Sequence, residues 1–283
     1  GFTYSALNYE IKLFQYPVKH DYCEPEVQKK KLKIKSIKFE NCLSFASSII
    51  SNKDHGIINS NCYNGKIDSP KFLNTYLTEN HLLELSKRPN KLINKNNIFS
   101  CWDFSKYISS EKIIETGNLK LNGFTHNFPA RAMKGVHWNG TEFNWKLKPF
   151  HYGAIHFHDD DIYDANWKKK FDWKVPLNIK SGLYCAHIFD SNKNEDHIPF
   201  VIQPSKKRKP IKIVFLLPTA SYMAYANDHN AVNGYKYEML MGRLTVLQPE
   251  DLYIDQHREY GLSMYDTHSD GSGVCYSSRL RPI

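Results

Sequence analysis

The chain has 283 residues, 41% hydrophobic, 14% aromatic and 24% charged, a balance that fits a globular protein and excludes a disordered one. No run approaches the ~20 apolar residues of a membrane-spanning helix, which excludes a helical integral membrane protein. Lys and Arg number 38 against 29 Asp and Glu, a net charge of +9, but neither a basic face with stacking aromatics nor a recognised nucleic-acid module accompanies it.

In chain order, Lys29, Lys30, Lys31, Lys33, Lys35 and Lys38 alternate in part with Leu32, Ile34 and Ile37. This pattern predicts an edge strand with a bulge, on which lysines discourage edge-to-edge pairing. Asn64-Gly65 is a hairpin-type turn leading into a short strand at 66–68. Leu77, Leu82, Leu83 and Leu85 predict one helix within 74–93. Further strands are expected at 101–104, 118–121, 135–138, 153–158 and 182–189, where short runs rich in β-branched and aromatic residues lie between turn residues. Short strands at such spacing predict a β-sandwich over residues 1–205. Lys206-Lys207-Arg208-Lys209 between two prolines reads as a solvated linker. After it, Lys212 to Leu217 forms a nearly continuous apolar run, the pattern of a strand buried on both faces in a parallel α/β sheet. A domain boundary is therefore expected near 204–210, with an α/β domain beginning at 210–283.

Six cysteines are scattered without a C-x-x-C pair or zinc spacing. Reduced thiols in a cytoplasm are expected, with Cys185 as a small buried hydrophobe. The chain opens at Gly1-Phe2-Thr3 and stops at Arg281-Pro282-Ile283 directly after a motif-dense stretch, so a part of a longer polypeptide is expected.

Three clusters carry functional groups. In the first, His156 and His158 alternate on a strand and point the same way, as two metal ligands would, followed by Asp159, Asp160 and Asp161. Without a fixed third ligand, a strand running into an acidic turn is the preferred reading. The second runs from Leu217 to His229 and includes Tyr222, Tyr225, Asn227 and Asp228. The third, 260–273, holds Tyr265, Asp266, His268 and Asp270 before a Gly-rich turn. His268-Ser269-Asp270 imitates a hydrolase triad, but triad members seldom lie adjacent and no G-x-S-x-G elbow is present.

The strings NGKIDSP (64–70), NFPARAMKGVHW (127–138), AIHFHDDDIYDANW (154–167), PTASYMAYAND (218–228) and YGLSMYDTHSDGSG (260–273) resemble the large-subunit family of N,N-dimethylformamidase. The resemblance implies a concanavalin/laminin-G-like β-sandwich followed by an α/β domain with a mononuclear Fe3+ site held by two tyrosinates and a glutamate. Residue by residue, the tyrosines correspond to Tyr225 and Tyr265, with Tyr222 competing for the first place. His268, Asp266 and Asn227 are acid–base or supporting candidates by motif position. The glutamate is expected outside this chain, because the last one here is Glu259, so the chain alone is expected to be inactive. The implied reaction is hydrolysis of a small N-substituted formamide to formate and amine, in an assembly with a small partner subunit and further copies of the large one. A lectin-like carbohydrate-binding module and a structural scaffold are the rival readings.

Overall fold

Alternating apolar and polar residues need a second strand to satisfy the backbone and a second sheet to bury the apolar face. The computed structural model, which describes residues 1–17, 24, 26–31, 42–52, 56–87, 97–206, 212–229, 242 and 246–283, meets both needs and is mainly β. Gly1–Asn166 together with Tyr222–Ile283 forms one compact unit, and Trp167–Ser221 forms another. No helix among the described residues is long and apolar enough to cross a membrane.

In the larger unit, β1 (Phe2–Ser5), β2 (Glu10–Gln15) and β3 (Glu26–Lys31) form an antiparallel sheet in that order. β3 is an edge strand, and Lys29 pairs with Glu79 at 3.0 Å. β3 ends at Lys31, and the alternating stretch and bulge expected after it lie outside the described residues. β4 (Ser48–Asn52) and β5 (Gly56–Ser60) form a hairpin, and α1 (Glu79–Lys87) falls within the expected helical segment.

Two larger sheets follow. β7 (Lys71–Leu73), β8 (Ile98–Asp103), β9 (Lys112–Glu115) and β10 (Gly123–Phe124) make a four-stranded sheet. β6 (Gly65–Asp68), β11 (Ala130–Met133) and β12 (Ala154–Phe157) make a three-stranded one, ordered β11-β12-β6. Trp102, Phe104 and Ile113 from the four-stranded side pack with Ile155, Ile67 and Phe157 from the other, so the two sheets bury their facing surfaces against each other. Full burial of one such side chain, as for Ile155 at 1% exposure, contributes roughly 1.5–3 kcal/mol. Gly65, at φ 151°, opens β6 in a conformation that a side chain would strain.

Three of the five motif strings thus converge on a single sheet. NGKIDSP supplies β6, NFPARAMKGVHW supplies β11, and AIHFHDDDIYDANW supplies the central strand β12.

Four expected features differ. Residues 118–121 are not a strand but wrap over the buried Glu115 carboxylate, which accepts the Lys120 amide at 2.7 Å, Gly117 at 2.5 Å and Cys101 at 3.1 Å. Residues 135–138 form a turn, with the Gly135 amide bonded to the His151 carbonyl at 2.9 Å and Lys134 over the Trp138 ring. In the smaller unit, β13 (Gly182–Phe189) and β14 (Glu195–Ile202) pair as a hairpin. A two-stranded ribbon covers neither of its faces, and Cys185 is exposed rather than buried. Residues 212–217 are not a buried strand: no described strand pairs with them, and Ile213, Val214, Phe215 and Leu216 are 82–87% exposed.

Arg131 on β11 fixes the connection between β8 and β9. Its guanidinium is buried and donates to the carbonyls of Phe104, Lys106, Tyr107, Ser110 and Lys112 at 2.6–3.3 Å. Burial alone pushes Glu115 up, but the backbone amides of Cys101, Gly117 and Lys120 and the Ser100 side chain hold its carboxyl below the usual range. Glu115→Ala leaves three amides without their acceptor and is expected to cost about 2–3 kcal/mol in denaturant unfolding. The exposed Glu111→Ala is expected to stay within about 0.5 kcal/mol. Equal effects for the two would overturn this role.

Candidate functional site

Residues 260–273 contain no strand and only the end of a single 3-10 turn, Arg258–Tyr260. Their course is therefore set by side-chain bonds and isolated backbone bonds, and these run in two directions.

One direction is the end of β12. His156 Nε2 lies 2.8 Å from Asp270 Oδ2, and His158 Nε2 lies 2.9 Å from Ser272 Oγ. His268 Nδ1 lies 2.5 Å from Asp160 Oδ1, the Ser269 amide donates to Asp160 Oδ2, and the Ser269 hydroxyl donates to Asp159 Oδ1 at 2.6 Å. Arg258 also donates to Asp160 Oδ2, at 3.2 Å. The His158 and His268 rings stack at 3.6 Å with planes 4° apart. Asp159 is itself tied to β6, its amide donating to Asn64 Oδ1 at 2.8 Å. The triad-like string His268-Ser269-Asp270 is thus no triad, since its side chains bond outward to Asp160, Asp159 and His156 in turn.

The other direction is 224–229, at and beyond the end of α2 (Thr219–Tyr225). The Met264 amide donates to the Ala224 carbonyl at 2.8 Å. Buried Asp266 accepts His229 Nδ1 at 2.8 Å, the His229 amide at 3.2 Å and the Ser263 amide at 2.9 Å. Asn227, at φ 60°, turns its amide nitrogen to the carbonyls of Tyr260, Gly261 and Pro282. Buried Arg281 donates to the carbonyls of Ala226, Tyr260 and Ser278. A Cβ at Gly261 would stand 2.9 Å from the Arg281 side chain and 2.7 Å from Ile162, so glycine permits that approach.

These bonds act on the residues flanking Tyr225 and Tyr265. The two rings stack with centroids 4.3 Å apart and planes 20° apart. They are 55% and 60% exposed. Tyr222, one turn earlier on α2, makes no ring contact with Tyr265 among the described residues and is 59% exposed. Of the other candidates, Asn227 and Asp266 are occupied in holding backbone and His229, whereas His268 faces the acidic turn.

The electrostatics follow from burial opposed by partners. Burial pushes Asp160 up, but the hydrogen bond and charge of His268, Arg258 and the Ser269 amide hold its carboxyl below the usual value. Asp266 is likewise pushed up by burial and brought below it by His229 and the Ser263 amide. Asp270 is held well below by Ser272 and His156 against burial. Burial raises Asp161 beyond what His158 and His268 offset. It lowers His156 beyond what Asp270 offsets, whereas in His158 the surrounding Asp161, Asp270 and Asp160 overcome it and raise the imidazole.

Sequence reasoning found His156 and His158 but not their partners. Asp270 as a third group beside the two histidines lies 114 residues from His156, and no local pattern announces such a pairing. His229 sat in a cluster already singled out. Its Nε2 is buried without a hydrogen-bond partner among the described residues.

Two measurements check these roles. Asp160 and Asp266 lie below the ~3.9 of a free aspartate, so their stabilisation is complete above that value and lost as pH falls through the lower folded one. Asp160→Asn is expected to flatten the acid limb of a urea-midpoint profile below about pH 4, and an unchanged limb would contradict the pairing. Asn227→Ala is expected to lower unfolding stability by about 1–3 kcal/mol through its unpaired carbonyls, and a neutral result would remove it as a clamp.

Residues 130–283, from β11 through the site segments, match the family model described as N,N-dimethylformamidase beta subunit-like, C-terminal. Over 230 residues, 78% of this chain, it is 34% identical to the N,N-dimethylformamidase beta subunit of Alcaligenes sp. It is 35% identical, over the same share, to the beta subunit of that name from Paracoccus aminophilus. The match covers 29% of the length of each of these relatives. The chain therefore belongs to the N,N-dimethylformamidase beta subunit-like family.

Proposed function

We propose that this chain is part of an iron-dependent amidohydrolase that hydrolyses N,N-dimethylformamide, or a similar small N-substituted amide, to formate and amine. The observation that carries the reading is the stacked pair Tyr225 and Tyr265, 40 positions apart and brought face to face at 4.3 Å. Family membership supports the reaction class.

The donor chemistry fits a hard trivalent ion. Deprotonated phenols are hard anionic oxygen donors, and both rings are more than half exposed, open to an ion and a substrate from solvent. Tyr225 and Tyr265 would hold Fe3+, with a glutamate outside this chain as the third donor. The ring pairing favours Tyr225 over Tyr222. Such an ion supplies Lewis acidity, polarising an amide carbonyl and acidifying water.

The chain's own residues orient the phenols. The Ala224–Met264 backbone bond, the Arg281 bond to the Ala226 carbonyl and the His229–Asp266 pair act immediately beside Tyr225 and Tyr265. Asp266 and Asn227 work through such bonds as positioning residues, and His268 is the remaining acid–base candidate. The same reading carries a division into a sandwich at 1–205 and an α/β domain starting at 210, a small partner subunit, and association of several large subunits. A cytoplasmic setting accords with the free thiols of Cys42, Cys62, Cys101, Cys185 and Cys275.

In the full-length protein, a visible tyrosinate-to-iron absorbance is expected to vanish in Tyr225→Phe and in Tyr265→Phe. Amide hydrolysis is expected to fall by about 10–100-fold or more, with Tyr222→Phe unaffected. Full activity in both single variants would overturn the assignment. Glycan binding by an iron-free protein would support the lectin-like reading instead.

A further inference from the structure

The end of β12 holds a second set of donors that the tyrosine reading leaves unused. His156 and His158 are both buried, at 9% and 5% exposure, with ring centroids 4.2 Å apart and planes 47° apart. Asp270 Oδ2 lies 2.8 Å from His156 Nε2 and 3.8 Å from His158 Nε2. Each of the three residues offers one donor atom within 4.8 Å of a donor atom of the other two. We propose that His156 Nε2, His158 Nε2 and Asp270 Oδ2 form a binding site for a first-row divalent cation of the zinc type.

Three features of the geometry carry this. Bonds of ~2.0–2.1 Å in a tetrahedral site set neighbouring donors about 3.3 Å apart, and the two separations from Asp270 bracket that value. His158 Nδ1 faces Asp161 Oδ2 at 3.2 Å. A ligating histidine is oriented in the same way, one ring nitrogen held by a carboxylate so that the other is directed at the ion. Asp270 is exposed while both histidines are buried, so the cluster is walled on one side and open to solvent on the other. Ser272 Oγ, 2.9 Å from His158 Nε2 and 2.5 Å from Asp270 Oδ1, adds a polar oxygen at the same place.

The neighbouring group His158, Asp161 and His268 has comparable donor spacing but not the orientation. Its two rings are parallel within 4° at 3.6 Å, so their in-plane lone pairs run side by side instead of converging on one ion. Two imidazoles and one carboxylate are donors of intermediate softness, suited to Zn2+ or Co2+ over Mg2+ or Ca2+. The set shares no residue with Tyr225 and Tyr265.

The test is titration of the chelator-treated full-length protein with Co2+, read by its visible d–d absorption and by competition with Zn2+. One equivalent is expected to bind, Zn2+ is expected to displace it, and Mg2+ is expected to have no effect. Asp270→Asn, which keeps the shape of the side chain, and His158→Ala are each expected to weaken binding by more than about tenfold, with folding verified by circular dichroism. The double variant Tyr225→Phe, Tyr265→Phe is expected to bind Co2+ as the parent does, even though it loses any iron chromophore. Absence of a d–d band with Co2+ in excess would overturn the proposal. So would unchanged binding in Asp270→Asn, or loss of binding in the tyrosine double variant.

Discussion

The structure around the candidate site depends on one constraint: a segment without regular secondary structure must find partners for its buried polar groups elsewhere. Residues 260–273 do so on two sides at once. Imidazole–carboxylate and hydroxyl contacts join them to the end of β12, and backbone, Asn227, Arg281 and His229 contacts join them to 224–229. Asp266 and His268 are buried at 4% and 5% exposure, and a buried charge without a partner costs far more than one hydrogen bond returns. The two sets of contacts therefore specify one course for the segment rather than merely adding to its stability. The stacked tyrosines are a consequence, since the residues beside each of them are fixed and they themselves stay half exposed.

A sandwich strand supports this arrangement. β12 is hydrogen-bonded to β11 and β6 and places Ile155 in the core at 1% exposure. His156 on the same strand turns to the site, because successive side chains alternate between faces. One residue thus anchors the strand and the next begins the polar network. Sliding β12 by one residue would exchange the two, burying an imidazole among Trp102 and Ile113, so the apolar core fixes the register of the chemistry.

Much of this was legible in the sequence, for definite reasons. Strands at 153–158 and 182–189 announce themselves by apolar runs between turn residues. The short strand expected at 66–68 is β6, but Asn64-Gly65 closes no hairpin: Gly65 is already the first residue of β6, which pairs with β12 and not with the preceding strand. Residues 118–121 and 135–138 also alternate, but their polar backbone goes to the Glu115 carboxylate and to the His151 carbonyl instead of to a strand. Alternation over four residues is too short to specify burial: Leu119, Leu121 and Val136 are 39%, 51% and 50% exposed, so no apolar face was there to recruit a second strand. Residues 212–217 show the limit from the other side: an apolar run is a strand only where another strand is beside it. The two tyrosines and the three histidines 156, 158 and 268 stood out as chemistry by type and motif. The pairing of the histidines did not, because Asp270 and Asp160 meet their imidazoles across more than a hundred residues.

The two donor sets sort by chemistry. The phenols of Tyr225 and Tyr265 are exposed oxygens, hard once ionised, whereas His156, His158 and Asp270 mix nitrogen and oxygen in a half-enclosed corner. A trivalent hard ion has little reason to prefer the second set, and a zinc-like ion little reason to prefer the first. Both sets nevertheless depend on 260–273, with Tyr265 and Asp270 five positions apart. An ion that fixed Asp270 against β12 would hold the far end of the segment, while the Met264–Ala224 backbone bond and the Asn227 bonds to the Tyr260 and Gly261 carbonyls hold the near end. The loop bearing Tyr265 would then be clamped on both sides of that residue, and occupancy of the imidazole corner would steady the tyrosine pair without touching either ring.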